Sequence, residues 1–327
     1  MTVANSADDL YQIILDELLT SGKNNDSRNG MTIELIHRDF VLKNPRRRLV
    51  TFPKRLVNPG FRIYESLWIL TGSNDIESIK WYNSHMDDYS DDHIILYGAY
   101  GDRLGLHQNN QSINQLTSIY HKLRMHPDDR QCVAVIFKPE DLISESKDIP
   151  CNILIHFMIR DEKLHAFVFC RSQDMWLGFP YDIYNFTLIQ EILAGWLNIE
   201  VGEYYLHVAS LHLYERNIDK AKEILSDRIC EYQLFDARVS IDDYNHLMKL
   251  LVDLERHTRC NKGTFSLADL RDFCPEFWYL YAKSLAVFNL AYKYKDSNIY
   301  YKFQYELDGF DPCLNHWIVH YEKVPSH

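Results

Sequence analysis

Residues 170–183, CRSQDMWLGFPYDI, place an arginine, a serine and two carboxylates around a Trp-Leu-Gly turn. Arg171, Ser172, Asp174 and Asp182 are each expensive to bury in a core and useful in a site, so the stretch reads as a ligand-holding segment. The seven cysteines, at 132, 151, 170, 230, 260, 274 and 313, have no paired CxxC spacing. That argues against a zinc ribbon and against a disulfide framework. His257, Cys260 and Cys274 stand near one another in sequence but lack a fourth ligand at regular spacing, so no metal is expected.

The elements that must position these residues follow from periodicity. SADDLYQIILDELLTSG reads as an amphipathic helix with Ser6 as its cap and a stop at Gly22. The polar run GKNNDSRNG reads as a loop, MTIELIHRDFVL as a strand, and RRLVTF as a second strand paired to it across the KNP turn. FRIYESLWILTG and DIESIKWYNSHM read as helices, with Glu65 inside the more apolar one. INQLTSIYHKLRMHPDDR is helical to about Pro127, and QCVAVIF is a buried strand. CNILIHFMIRDEKLHAFVFCRS is the clearest hairpin; IYNFTLIQEILAGWLN is a helix and EYYLHVASLHLY a strand. From about residue 216 the pattern is mainly helical.

With 327 residues, of which 46% are hydrophobic, the chain has material for a full core. A formal charge of −11 argues against coating a nucleic-acid polymer, which needs a basic face. No apolar run reaches a membrane span, and MTVANSADDL lacks the form of a targeting segment, so a cytoplasmic protein is expected.

Taken in order, PC at 150–151, RSxDxxLGxP at 171–180 and HLY at 212–214 resemble the thymidylate synthase family. LVTFPKR, ESLWILTG and LYGAYG look like further motifs of that family, over about residues 27 to 225. The resemblance implies an α+β fold: a mixed sheet flanked by helices, as a catalytic domain over 1–235. Residues 236–327 form a mainly helical extension packed on the same domain. It also implies a nucleotide monophosphate as substrate, 5,10-methylenetetrahydrofolate as co-substrate, and a homodimer.

Residue by residue, the resemblance makes Cys151 the nucleophile. A pyrimidine C5 becomes nucleophilic only after a thiolate adds to C6; otherwise Cys151 is a buried strand cysteine. Arg28, Arg171 and Ser172 would hold the 5′-phosphate, joined by Arg130 from a second subunit. Glu65 would manage protons for folate ring opening and for the base, with Tyr97 at the C5 proton. His212 and Tyr214 would hold the sugar. Lys54, Asp174 and Gly178 would meet the folate.

The departures from the family pattern are informative. Asp182 stands where thymidylate synthases carry Asn, a pattern similar to that of phage deoxycytidylate hydroxymethylases. An ionised Asp offers only acceptors, which matches the amino group of cytosine and its N3–H once the adduct forms. The other reading of Asp182 is a helix N-cap. Asn152 replaces the usual histidine, Gln131 the second of an arginine pair, and SHMDDYSDD the region of the expected tryptophans. A less screened site favours water over hydride at the exocyclic methylene. The expected activity is therefore 5-hydroxymethylation of dCMP or CMP. A cytidylate 5-methylase, a divergent thymidylate synthase and an inactive nucleotide-binding homologue are the alternatives.

Overall fold

The computed structural model describes residues 1–106, 113–261, 270–271 and 274–323. Most of the expected helical segment SLADLRDF lies outside them. The architecture is α+β, with one mixed sheet flanked by helices and a helical C-terminal region. The strands are β1 (Thr2–Ala4), β2 (Lys23–Ser27), β3 (Gly30–Leu42), β4 (Val133–Val135), β5 (Asn152–Arg160), β6 (Lys163–Asp174) and β7 (Glu200–Tyr214). Their order is β1-β3-β7-β6-β5-β4, with β2 paired to β3. β1 runs parallel to β3 and β6 parallel to β7; the other pairs are antiparallel.

Among the described residues the helices before the C-terminal turns are α1 (Ala7–Ser21), α2 (Pro59–Leu70), α3 (Ile76–Tyr82), α4 (Tyr100–Arg103), α5 (Gln115–Met125), α6 (Phe179–Leu197), α7 (Ile218–Ile224), α8 (Ile241–Cys260) and α9 (Glu276–Tyr294). Then come α10 (Asn298–Tyr301), α11 (Gln304–Phe310) and α12 (Cys313–Lys323). Ser6 caps α1 by accepting from the backbone N–H of Asp9, and Gly22 ends it, as the sequence predicts. The β5–β6 hairpin closes through Asp161 and Glu162, both with positive φ, which matches the right-handed twist of its strands. α6 is buried on nearly every face, so its apolar sequence carries little periodicity.

Three expected elements differ. The polar run after α1 is a strand, β2, because backbone pairing with β3 from Lys23↔Glu34 to Ser27↔Gly30 needs no apolar face. RRLVTF is not a strand: Arg46 and Arg48 turn to Glu191, and the Thr51 N–H donates to Asp8 Oδ1 at 2.7 Å. The place beside β3 is taken by β1, with Val3 opposite Val41. QCVAVIF yields only the short edge strand β4, where Ala134 is buried while Val133 and Val135 are exposed.

The C-terminal helices pack directly behind α2. The Tyr281 hydroxyl donates to the Ile63 carbonyl at 2.5 Å, and that of Tyr244 donates to Leu70 at 3.0 Å. Arg62 forms a buried ion pair with Asp311. Gly60 lets the α9 ring of Phe288 press against α2, since a Cβ there would fall 2.2 Å from it. The long helix that carries Glu65 is thus held from both sides.

Candidate active site

Cys151 stands at the start of β5, and its neighbours fix the chain on which it sits. Arg171, facing it from β6, donates through Nε to the Pro150 carbonyl at 2.9 Å and through Nη2 to that of Ile149 at 2.8 Å. The Arg171 N–H donates to the Cys151 carbonyl at 2.9 Å. Further back, Asp148 accepts from the Gly98 N–H at 2.7 Å, and Arg28 reaches the Lys147 carbonyl at 3.4 Å. Arg28 and Arg171 therefore meet on the loop that delivers the thiol. Burial pushes the Cys151 thiol up to about 11, against the pull of Arg171.

Asp182 faces this thiol and Glu65 stands beside Asp182, and among the described residues neither carboxyl is paired with a cation. Glu65 Oε2 accepts from Asn185 Nδ2 at 2.8 Å, and burial, with Asp182 adding to it, pushes Glu65 up to about 8. Asp182 Oδ2 accepts from Gln173 Nε2 at 3.0 Å, and the nearby Asn152 also favours its charged form. Burial outweighs these donors and raises Asp182 to about 6. Asp182 lies inside α6, whose cap position is Gly178, and its side chain faces amides rather than the helix N–H groups. The N-cap reading therefore fails.

Asp174 and Gly178, two of the residues expected at the folate, stand at and just beyond the end of β6. Asp174 Oδ1 accepts from the N–H groups of Trp176 and Leu177 at 2.7 and 3.0 Å, which closes the turn before Gly178. Asp174 pairs with His212 across β6 and β7, and the His212 ring meets Tyr214 edge-on at 5.4 Å. Ser172 lies opposite Ser210 in the same ladder. Lys54 extends to Glu223 at 3.9 Å, while its neighbour Arg55 is buried with its guanidinium 4.6 Å over Trp176.

Two expected residues are placed apart from this group. Tyr97 packs under the Arg103 guanidinium at 4.7 Å and bonds Asp141. The tyrosine beside the thiol is Tyr100, whose hydroxyl accepts from Asn152 Nδ2 at 3.0 Å. Arg130 is exposed on the bend before β4, away from Cys151 within this chain. Sequence reasoning also missed Gln173, Asn185 and Tyr89. Tyr89, from the segment where tryptophans were expected, comes near Asp174, Tyr214 and Arg216; burial, then the Asp174 charge, raises its hydroxyl. Asn185 could have been found, since i+3 from Asp182 on a helix shares its face.

Among the described residues no group of three His, Cys, Asp or Glu could hold a metal ion, and no helix is long and apolar enough to cross a membrane. A cavity of about 490 Å³ lies behind α2, against α3 and α8, and contains none of the expected site residues.

A thiol, an aspartate raised by burial and, beside it, a glutamate raised further are thus brought together next to the mixed sheet. The profile described as Thymidylate synthase matches residues 9–259, and the chain belongs to the thymidylate synthase family. It is 38% identical over 215 residues to the deoxyuridylate hydroxymethyltransferase of Bacillus phage SP01, covering 63% of this chain and 56% of that protein. To the deoxyuridylate hydroxymethyltransferase of Pseudomonas phage M6 it is 34% identical over 217 residues, covering 64% and 59%. The chain thus spans 56–59% of the length of these two relatives. The thermostable thymidylate synthase A from Bacillus subtilis superposes with a TM-score of 0.58 at 26% identity, over 68% of this chain and 85% of that one.

Proposed function

We propose that the chain is a folate-dependent pyrimidine nucleotide 5-hydroxymethylase acting on dCMP, with CMP as the closest variant. The observation that carries the reading is a pair of carboxyl groups, Asp182 near Cys151 and Glu65 next to Asp182, pushed apart to about 6 and about 8. At neutral pH Glu65 holds a proton it can deliver, while Asp182 is mostly ionised and offers acceptors to the amino group and N3–H of a cytosine adduct. Cys151 adds as thiolate to C6, and C5 then attacks the methylene carbon of 5,10-methylenetetrahydrofolate. A base removes the C5 proton as tetrahydrofolate leaves, which gives an exocyclic methylene. Water adds to it, and Cys151 departs from C6 to restore the ring.

The remaining site residues keep their expected work in this reading: Arg28, Arg171 and Ser172 at the phosphate, His212 and Tyr214 at the sugar, Lys54, Asp174 and Gly178 at the folate. Tyr100 takes the place first given to Tyr97. The dimer would form on the exposed sheet face, where Phe167 stacks on Tyr205 and Phe169 on His207 at 4.5 Å each. That face would bring Arg130 of one subunit to the site of the other. Mixing Arg130→Ala with Cys151→Ala subunits should then restore activity in heterodimers; none recovered would remove the shared site. The region after residue 235 would support this site from behind, through Arg62 and Asp311.

Asp182→Asn tests the base. It should move the preference from cytosine toward uracil by about one to four orders of magnitude. An unchanged preference in a folded dimer would end the cytidylate reading. A second reading, deoxyuridylate, is favoured by the names of the phage relatives. In it Asp182, already raised to about 6, would be protonated and would donate to uracil O4.

A further inference from the structure

Gln173 sits on β6 between the expected phosphate and folate ligands and is 2% exposed. Its Nε2 donates to Asp182 Oδ2 at 3.0 Å, while its Oε1 has no partner. The amide fits there because residue 178 is glycine: a Cβ would lie 2.9 Å from Nε2 and 3.6 Å from Asp182 Oδ2. From the other side Asn152, fully buried, donates its Nδ2 to the Tyr100 hydroxyl at 3.0 Å and stands near enough to Asp182 to favour its charged form, and its Oδ1 is also unpartnered. Two buried amides, each with one idle carbonyl oxygen, are thus spent on presenting one carboxylate. Such idle acceptors are uneconomical in a core and are expected beside a ligand that brings its own donors.

We propose that Gln173, admitted by Gly178, is a specificity-determining positioning residue: it orients the Asp182 carboxylate and keeps both its oxygens acceptors, and so selects the pyrimidine base. The inference rests on the reading of Asp182 as the base selector. A donated N–H fixes the carboxylate torsion and favours its charged form. The other groups facing Asp182 are Glu65 from α2, Tyr100 from α4, Cys151 and Cys170 from the β5–β6 hairpin, and Tyr204 from β7; none is a cation. Without the Gln173 donor, nothing but Asn152 opposes the desolvation of this carboxylate. It then takes up a proton at higher pH and becomes a hydroxyl donor, the partner that uracil O4 needs.

The test measures kcat/KM for dCMP and for dUMP from pH 5 to 9 with methylenetetrahydrofolate, in the full chain and in Gln173→Met, Gly178→Ala and Asp182→Asn. Met keeps the length of Gln but removes the donor; Ala at 178 displaces the amide without touching it chemically. Both variants should lower the dCMP to dUMP ratio about ten- to a hundredfold at pH 7, the value of one hydrogen bond to a charged group. Both should also move the pH midpoint of that ratio upward. A ratio and midpoint unchanged in either folded variant, while Asp182→Asn shifts the ratio, would overturn the role of Gln173. If Asp182→Asn leaves the ratio unchanged as well, the base reading has failed instead. Should the two positioning variants not fold, the same ratio is read in Gln173→Glu, which replaces the donor by a second carboxyl and should depress dCMP use relative to the parent most between the parental midpoint near pH 6 and the raised midpoint of the variant.

Discussion

Buried carboxylates occur in two settings in this protein. Glu65 and Asp182 face side-chain amides, and burial raises both toward neutrality. Asp141 is also buried, yet two hydrogen bonds from Arg103, at 2.6 and 2.9 Å, outweigh desolvation and hold it below the usual carboxylate range. Glu191, paired with Arg46 and Arg48, and Asp311, paired with Arg62, are likewise buried against guanidinium groups. A guanidinium fixes a carboxylate in one charge state and makes it architecture, whereas an amide holds it in place and leaves the proton free to move. The difference separates Glu65 and Asp182 from the arginine-clamped carboxylates, although Asp8, whose partner is Thr51, is also raised by burial, to about 7.

The strongest way to break the comparison is to remove the group the amide-lined carboxyls serve. Cys151→Ala should abolish both exchange of the C5 proton with solvent and product formation, by about 10⁴-fold or more, with nucleotide binding kept within about tenfold. Substantial turnover in that variant would separate the carboxyl pair from covalent chemistry.

Next comes the carboxyl itself. Glu65→Gln keeps the bond from Asn185 and removes the proton, so kcat should fall by about 10²–10⁴. The same change should stabilise the fold in alkali. A carboxyl raised from 4.5 to about 8 favours the folded state below its unfolded value, and that advantage is lost as pH rises through 8. At pH 9 the variant should therefore exceed the parent by about 1–3 kcal/mol in unfolding free energy, and at pH 4 the two should agree. An equal stability at both pH values would mean that Glu65 is not held neutral.

The arginine-clamped region should respond oppositely. Asp311→Ala leaves Arg62 buried without its partner and should cost about 3–5 kcal/mol of stability at pH 7. Replacing both, Arg62→Met with Asp311→Leu, should recover most of that loss in denaturant titrations. Activity in the double variant should follow stability, since neither residue touches the reacting atoms. The smallest effect is expected at Cys170, the buried thiol nearest the site. Cys170→Ala should change kcat by less than about threefold and stability by about 1 kcal/mol, which would set Cys151 apart from its neighbour.

Legibility in the sequence divides along the same line. α1, α2, the β5–β6 hairpin and β7 were readable because each has a periodic apolar face or a cap with a mechanism. β2 was not, because a mostly exposed strand writes no pattern, and RRLVTF gave no sign that the partner of Arg48, Glu191, lies on α6. In the site, Cys151, Glu65, Arg171 and Asp182 were legible through ordered motifs. Tyr100, Gln173 and Asn185 were not, since their meaning depends on which amide or hydroxyl the fold brings to a carboxylate. The choice between Tyr97 and Tyr100 shows the limit: both belong to LYGAYG, and only the turn into α4 decides which one faces Asn152.

The central claim, that these residues hydroxymethylate a cytidylate at C5, is tested most directly by one measurement. The protein is incubated with 5,10-methylenetetrahydrofolate and dCMP, CMP or dUMP in turn, and the nucleotide and folate products are analysed by mass. The account predicts dCMP gaining one CH₂O unit with release of tetrahydrofolate, and dUMP reacting far more slowly. A gain of CH₂ with dihydrofolate, or a faster reaction of dUMP than of either cytidylate, would contradict it.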